Sequence, residues 1–174
     1  MKKSLLLLLV AMSVSLGGFA QKGRQAVGVD VPFRMNDSGD NFFEFDDESL
    51  GFGIKYQYNM TDYIRIEPIM QYYFAHQEND NYKFIGAINT NFFFYAPARF
   101  RPYGIVGLGY SIAKEYCDYC GPHDYSGFYI QCGLGIDYRL SHVWSWQLST
   151  GWQGIAGEDD YSGIYVSTGV TYNF

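Results

Sequence analysis

The residues best able to do chemistry lie in short polar segments. Cys117-Asp118-Tyr119-Cys120-Gly121-Pro122-His123 sets two thiols three apart with an imidazole close behind. Two sulfurs and a histidine are three of the four ligands of a structural zinc site, and no second ligand pair accompanies them. A disulfide between Cys117 and Cys120 is another use of this spacing in an exported chain, and a pair of free thiols is the third. A thioredoxin-like redox role needs a strand–helix context that this segment lacks. Carboxylates crowd into segments of the same kind. Asp37, Asp40, Glu44, Asp46, Asp47 and Glu48 form one group, and Glu78 with Asp80 a second. Glu115, Asp118 and Asp124 form a third and Glu158, Asp159 and Asp160 a fourth, with no Lys or Arg inside any of them. Such clusters are hard oxygen ligands that suit a divalent cation or a basic partner. They equally suit a solvated rim, and the calcium-loop spacing D-x-[DN]-x-[DN]-G is absent. His76, His123 and His142 are the only histidines, and no serine motif stands beside them. No catalytic, cofactor or metal residue is assigned, and the chain is not expected to be an enzyme. Asn59-Met60-Thr61 matches a glycosylation sequon by accident, since it falls in a tight turn.

A second set of charges is spread along the chain rather than clustered: Asp30, Lys55, Arg65, Glu67, Lys83, Asp137 and Arg139. What they share is parity. The chain alternates apolar and small or polar residues with a period of two, the mark of a strand with one apolar face. The final stretch shows it plainly: Ile164, Val166, Thr168, Val170, Tyr172 and Phe174 alternate with Gly163, Tyr165, Ser167, Gly169, Thr171 and Asn173. Seven more such runs precede it. The pattern predicts strands over 25–34, 50–59, 63–74, 82–95, 100–114, 126–140, 143–153 and 163–174. Connections alternate long and short, as in an up-and-down barrel that crosses a membrane with strands of about ten residues. Pro32, Pro68 and Pro102 fall within these runs, where bulges or strand starts are expected.

The first twenty residues stand apart. Lys2 and Lys3 precede an apolar core from Leu5 to Met12, and Gly18-Phe19-Ala20 offers small residues before Gln21. This reads as a secretory signal over 1–20, cleaved after Ala20, with the barrel domain over 21–174. No cysteine follows the cleavage point to carry a lipid. No apolar run after it approaches the ~20 residues of a membrane helix. With a formal charge of −6 and no strongly basic face, nucleic acid is excluded as a partner.

Volume decides which face is outside. An eight-stranded interior is just wide enough to be filled by side chains, and the apolar face carries large rings on nearly every strand. The opposite face carries Gly51, Gly53, Gly107, Gly109, Gly133 and Gly135, which would make room inside for Tyr63, Tyr103 and Tyr129. The apolar face therefore points into lipid, Cys132 included as a small apolar filler, with aromatics gathered near both strand ends as interfacial girdles. The seven charges of shared parity become a lumen network of salt bridges and hydrogen bonds that plugs the barrel. A small pore for ions or polar solutes is the alternative.

On these features, on Arg101-Pro102-Tyr103-Gly104-Ile105-Val106-Gly107-Leu108-Gly109-Tyr110 and on the terminal Tyr172-Asn173-Phe174, the chain resembles the small eight-stranded outer-membrane barrels of the OmpX and OmpA-barrel type. The resemblance implies an all-β, eight-stranded antiparallel transmembrane barrel, monomeric in outer-membrane lipid. It implies that the barrel-assembly machinery reads Phe174. It also implies a structural or surface-interaction role for the acidic loops, with a pore as the alternative and an envelope lipid-modifying enzyme, such as those resembling lipid A deacylases, as a distant one. No peptidoglycan-binding domain is expected beside the barrel.

Overall fold

A computed structural model of the chain describes residues 23–36, 50–74, 82–94, 99–117, 121–157 and 161–174. Eight strands run in chain order: β1 Gln25–Asn36, β2 Gly51–Asn59, β3 Ile64–Phe74, β4 Tyr82–Phe93, β5 Phe100–Cys117, β6 Gly121–Arg139, β7 Trp144–Gly157 and β8 Tyr161–Asn173. Each pairs antiparallel with the next, and β8 returns to β1 from Ala26↔Asn173 to Asn36↔Gly163, so the sheet closes. Closure removes every sheet edge, which a lipid environment demands because it offers backbone N–H and C=O groups no other partner.

The sorting of side chains inverts that of a soluble barrel. Val27, Ile54, Met70, Ile88, Leu108, Phe128 and Leu134 are exposed, Phe128 by 71%. Arg65, Gln57, Asn91, Asp137 and Thr171 are wholly buried. The apolar phase of the alternation is thus the outer wall, and the polar phase fills the lumen. Glycine makes that filling possible. A Cβ on Gly135 would stand 2.7 Å from the Tyr103 hydroxyl, and one on Gly133 would stand 2.7 Å from the Tyr165 hydroxyl. Those two tyrosines, with Tyr73, Phe93 and Tyr129, are the large buried rings among the described residues. Tyr63 is not among them. It lies in the β2–β3 turn, more than half exposed, because β3 begins one residue later.

None of the three prolines shifts the register of its strand. The β1–β8 register passes through Pro32 unbroken, and the β3–β4 register through Pro68. Both missing N–H groups therefore face β2. There the β1–β2 ladder lapses between Asp30↔Gly53 and the isolated Phe33↔Leu50 bridge, and the β2–β3 ladder lapses between Lys55↔Ile69 and Tyr58↔Ile66. The register is the same on both sides of each lapse, so the expected bulges are absent. A lost ladder bond is tolerated in place. Pro102 sits at the foot of β5, beyond the last β4–β5 pair, Phe93↔Tyr103.

The β2–β3 and β6–β7 connections share one device. Thr61 Oγ1 accepts the N–H groups of Tyr63 (3.2 Å) and Ile64 (3.0 Å). Ser141 Oγ accepts those of Val143 (3.3 Å) and Trp144 (3.0 Å). A hydroxyl thus replaces the ladder partner that a tight turn removes. At the other end, β5 runs past the expected 114 and β6 begins before the expected 126, and the two stay paired to Cys117↔Gly121. The span 115–125, expected as an open loop, is mostly a continuing two-stranded ladder. β7 and β8 likewise extend into 154–162 as far as Ile155↔Tyr161. The signal segment, Cys120 and most of the loop acids lie outside the described residues, as does the side chain of Cys117.

Candidate functional site

The lumen holds a closed circuit of polar groups. Arg65 on β3 reaches across to Asp137 on β6, Nη1 to Oδ2 at 2.9 Å. Gln147 on β7 donates from Nε2 to the same Oδ2 at 3.0 Å. Gln57 on β2 donates from Nε2 to Gln147 Oε1 at 3.0 Å and also to Glu67 Oε2. Glu67 stands two residues from Arg65 on β3, which returns the circuit to its start. Two of these links, β3 to β6 and β2 to β7, join strands that are not neighbours in the sheet, so the chain of contacts bridges the barrel's width.

Asp137 serves a second cation. Arg101 Nη2 lies 3.0 Å from the same oxygen, Asp137 Oδ2. The Phe93 ring lies 4.7 Å from the Arg65 Cζ and 4.5 Å from the Arg101 Cζ, and it packs on Tyr103 at 5.3 Å. A guanidinium held against a ring face in a desolvated site gains on the order of 2 kcal/mol. That offsets only part of the several kcal/mol that burying each ion costs. The shared Asp137 carboxylate is the opposing charge for both.

A separate group surrounds Asp30. Its Oδ2 accepts Gln71 Nε2 (3.0 Å) and Ser167 Oγ (2.8 Å), so an amide and a hydroxyl hold this carboxylate. The loop-end part of the lumen is largely apolar. Ile69, Tyr73, Ile85, Ala87 and Tyr129 form one cluster, joined by Ile155. The Tyr129 hydroxyl donates to Gln131 Oε1 at 2.8 Å, with Gln153 Oε1 3.1 Å away.

Of the seven charges of shared parity, the structure joins Arg65 directly to Asp137, and Glu67 to them through two glutamines. Asp30 bonds to neutral groups. Lys55 and Arg139 have no ion pair among the described residues, and Lys83 lies apart near the loop end of β4. The sequence reading left out Arg101, Gln57, Gln147 and Phe93. Arg101 has the parity of Tyr103 and could have been included on that ground. Phe93 was hidden in the run Phe92-Phe93-Phe94, where alternation of polarity disappears.

The remaining candidates that lie among the described residues are scattered. His142 is exposed in the β6–β7 turn. Among the described residues no group of three His, Cys, Asp or Glu side chains could hold a metal ion. Cys132 is exposed on the outer wall, in register with Trp152. The Phe174 N–H donates to Gln25 O at 2.9 Å, and its ring is exposed. On the outer wall an apolar depression of about 1010 Å³ runs past Val29, Ile54, Met70, Ile88 and Leu108 to Trp144 and Tyr172.

A family model described as the outer membrane protein beta-barrel domain matches residues 5–174. No curated protein sequence matches significantly. Among solved structures, Neisserial surface protein A superposes with a TM-score of 0.64 at 12% identity, over 87% of this chain and 97% of that one. The N-terminal barrel of Pseudomonas aeruginosa OprF gives 0.61 at 17% identity, over 88% and 100%. Ail, the attachment invasion locus protein of Yersinia pestis, gives 0.59 at 16% identity, over 87% and 97%; it has also been solved with the heparin analogue sucrose octasulfate.

Proposed function

We propose, since this chain belongs to the outer membrane protein beta-barrel domain family, that it is an outer-membrane barrel closed by its own side chains, whose role is structural or lies in surface contacts. Residence in the outer membrane follows from the family. The finer reading, a sealed lumen beneath acidic loops, is supported chiefly by one observation: the Arg65–Asp137 ion pair bridges strands on opposite sides of the lumen at 2.9 Å. The test is solute flux. Liposomes carrying the refolded barrel should swell in arabinose no faster than empty ones. Swelling that scales with protein content would overturn the sealed lumen.

The acidic segments set the chemistry of the outer contacts. Ail holds a sulfated heparin analogue. In this chain the long connections and the strand extensions beside them carry all the acids except Asp30, Asp62, Glu67 and Asp137. Like charge therefore opposes a sulfated glycan, and the favoured partners are divalent cations or a basic surface. Phe42, Phe43 and Phe45 stand among those acids as apolar contact groups. Cleavage after Ala20, and reading of the terminal strand by the barrel-assembly machinery, belong to the same proposal.

A second reading, a small pore, draws on the buried polar atoms that lack a partner among the described residues: Asn91 Nδ2 and Oδ1, Asn89 Oδ1, Gln153 Nε2 and Thr171 Oγ1. Such atoms ask for water. A few enclosed waters would satisfy them without a continuous path.

A further inference from the structure

The two ends of this barrel differ in charge beyond what loop solubility requires. The loop end is acidic. At the short-turn end, which faces the periplasm in such barrels, guanidiniums gather. Arg139 lies within Coulombic reach of Arg24, Arg65, Asp137 and Asp62. Arg101 lies within reach of Asp137, Arg65 and Arg139. Four guanidiniums thus gather near three carboxylates, Asp62, Glu67 and Asp137, and Asp137 is already shared between Arg65 and Arg101. Among the described residues Arg24 and Arg139 have no ion pair. Both belong to the inward parity of their strands, at the foot of β1 and the end of β6.

Local bonds fix the backbone that carries them. Asn59 Nδ2 donates to Arg24 O at 2.7 Å, and Asn59 Oδ1 accepts from Arg65 Nε at 3.0 Å, so one amide ties the foot of β1 to the buried circuit. Arg99 Nε donates to Arg139 O at 3.0 Å, which fixes the backbone from which Arg139 projects. Behind them, Arg101 is 6% exposed and its Nε has no hydrogen-bond partner among the described residues. Unbalanced cations held close together beside an orphaned donor form the usual surroundings of a bound oxyanion, which guanidiniums grip through paired N–H···O bonds.

We propose that the short-turn mouth binds a phosphate-type oxyanion between Arg24 and Arg139, with Arg101 behind them. The chemistry fits free phosphate or the headgroup of an anionic phospholipid. This inference rests on the barrel and its orientation, not on whether the lumen conducts.

The experiment uses the mature barrel refolded in non-ionic, phosphate-free micelles, with the arginine Nε–Hε signals followed by NMR during titration with inorganic phosphate. A chloride titration at matched ionic strength is the control. The expected result is a saturable shift centred on Arg24 and Arg139, weakened about tenfold or more by Arg139→Gln and unchanged by Lys55→Gln. Arg24→Gln provides a second variant if the first folds poorly on a heat-modifiability gel. In nanodiscs containing phosphatidylglycerol, signals already shifted and insensitive to added phosphate would identify a lipid headgroup as the occupant. Signals that still respond there would identify a free anion. A response that phosphate and chloride share, or one that survives both arginine variants, would overturn the site.

Discussion

Arg65 and Asp137 meet across the interior of the barrel, 2.9 Å apart, from strands that lie three apart in the sheet. Asp137 is also the carboxylate that Arg101 uses, so one buried anion balances two buried cations. Removing it would leave both uncompensated. Asp137→Asn is expected to lower unfolding stability in lipid vesicles by about 3–5 kcal/mol, as breaking a buried pair does, read from urea titration. Arg139→Gln, which breaks no ion pair among the described residues, should change it by less than about 1 kcal/mol. Equal losses in the two variants would deny the shared carboxylate its central place.

Two glycines make opposite predictions. A methyl on Gly135 would press on the Tyr103 hydroxyl at 2.7 Å, whereas one on Gly86 has Phe84 Cε1 as its nearest neighbour, at 3.9 Å. Gly135→Ala is expected to cost about 1–3 kcal/mol through overpacking. Gly86→Ala should be neutral or gain up to about 1 kcal/mol through the unfolded chain. The reversed order would mean that the lumen is looser than its tyrosines indicate.

The outer wall can be checked by charge. Val106 is half exposed on the apolar phase of β5, between Thr90 and Cys132. Val106→Arg should cost about 2–4 kcal/mol in a bilayer, the range for an arginine facing lipid near the midplane. A neutral outcome in folded, membrane-inserted protein would place that face in water.

Cys132 gives a chemical version of the same test. Its side chain is exposed on the outer wall beside Trp152. A charged maleimide should therefore fail to label it in intact vesicles and label it after detergent solubilisation and denaturation. Labelling in intact vesicles would contradict the lipid-facing assignment.

Strand number, order, parity and the outward direction of the apolar phase were legible in the sequence, because a period of two leaves one face for each side of a closed wall. Val27, Leu108 and Trp144 fell outward and Arg65, Gln71 and Asp137 inward on alternation alone. Strand ends were less legible. Beyond 114 and before 126, β5 and β6 keep pairing with each other to Cys117↔Gly121, through a stretch whose sequence carries no apolar alternation to announce a strand. Pro32 and Pro68 misled, because each gives up a ladder bond toward β2 and keeps its register, whereas Pro102 does sit at a strand start. The lumen circuit was legible only as a set of charges. Which acid meets which base depends on the stagger between strands, and Asp30 settling on Gln71 and Ser167 while Asp137 takes two arginines is a matter of three-dimensional neighbourhood, which parity does not encode.

Calcium offers a direct test of the acidic rim. If the loop carboxylates act as ligands, isothermal titration of the folded barrel should give a saturable heat between micromolar and millimolar concentrations, the range of weaker calcium sites. A flat titration would leave those acids as a solvated rim.

The central claim is a lumen closed by its own side chains, and single-channel recording in planar bilayers tests it most directly. Refolded protein, its folding confirmed by the gel shift between boiled and unboiled samples, should insert without steady current steps. Asp137→Ala, which removes the carboxylate that draws Arg65 across the lumen, should be more permeable than the parent if it folds. Reproducible steps from the unaltered barrel would contradict the account and make Lys55, Arg65, Glu67 and Lys83 the lining of a pore.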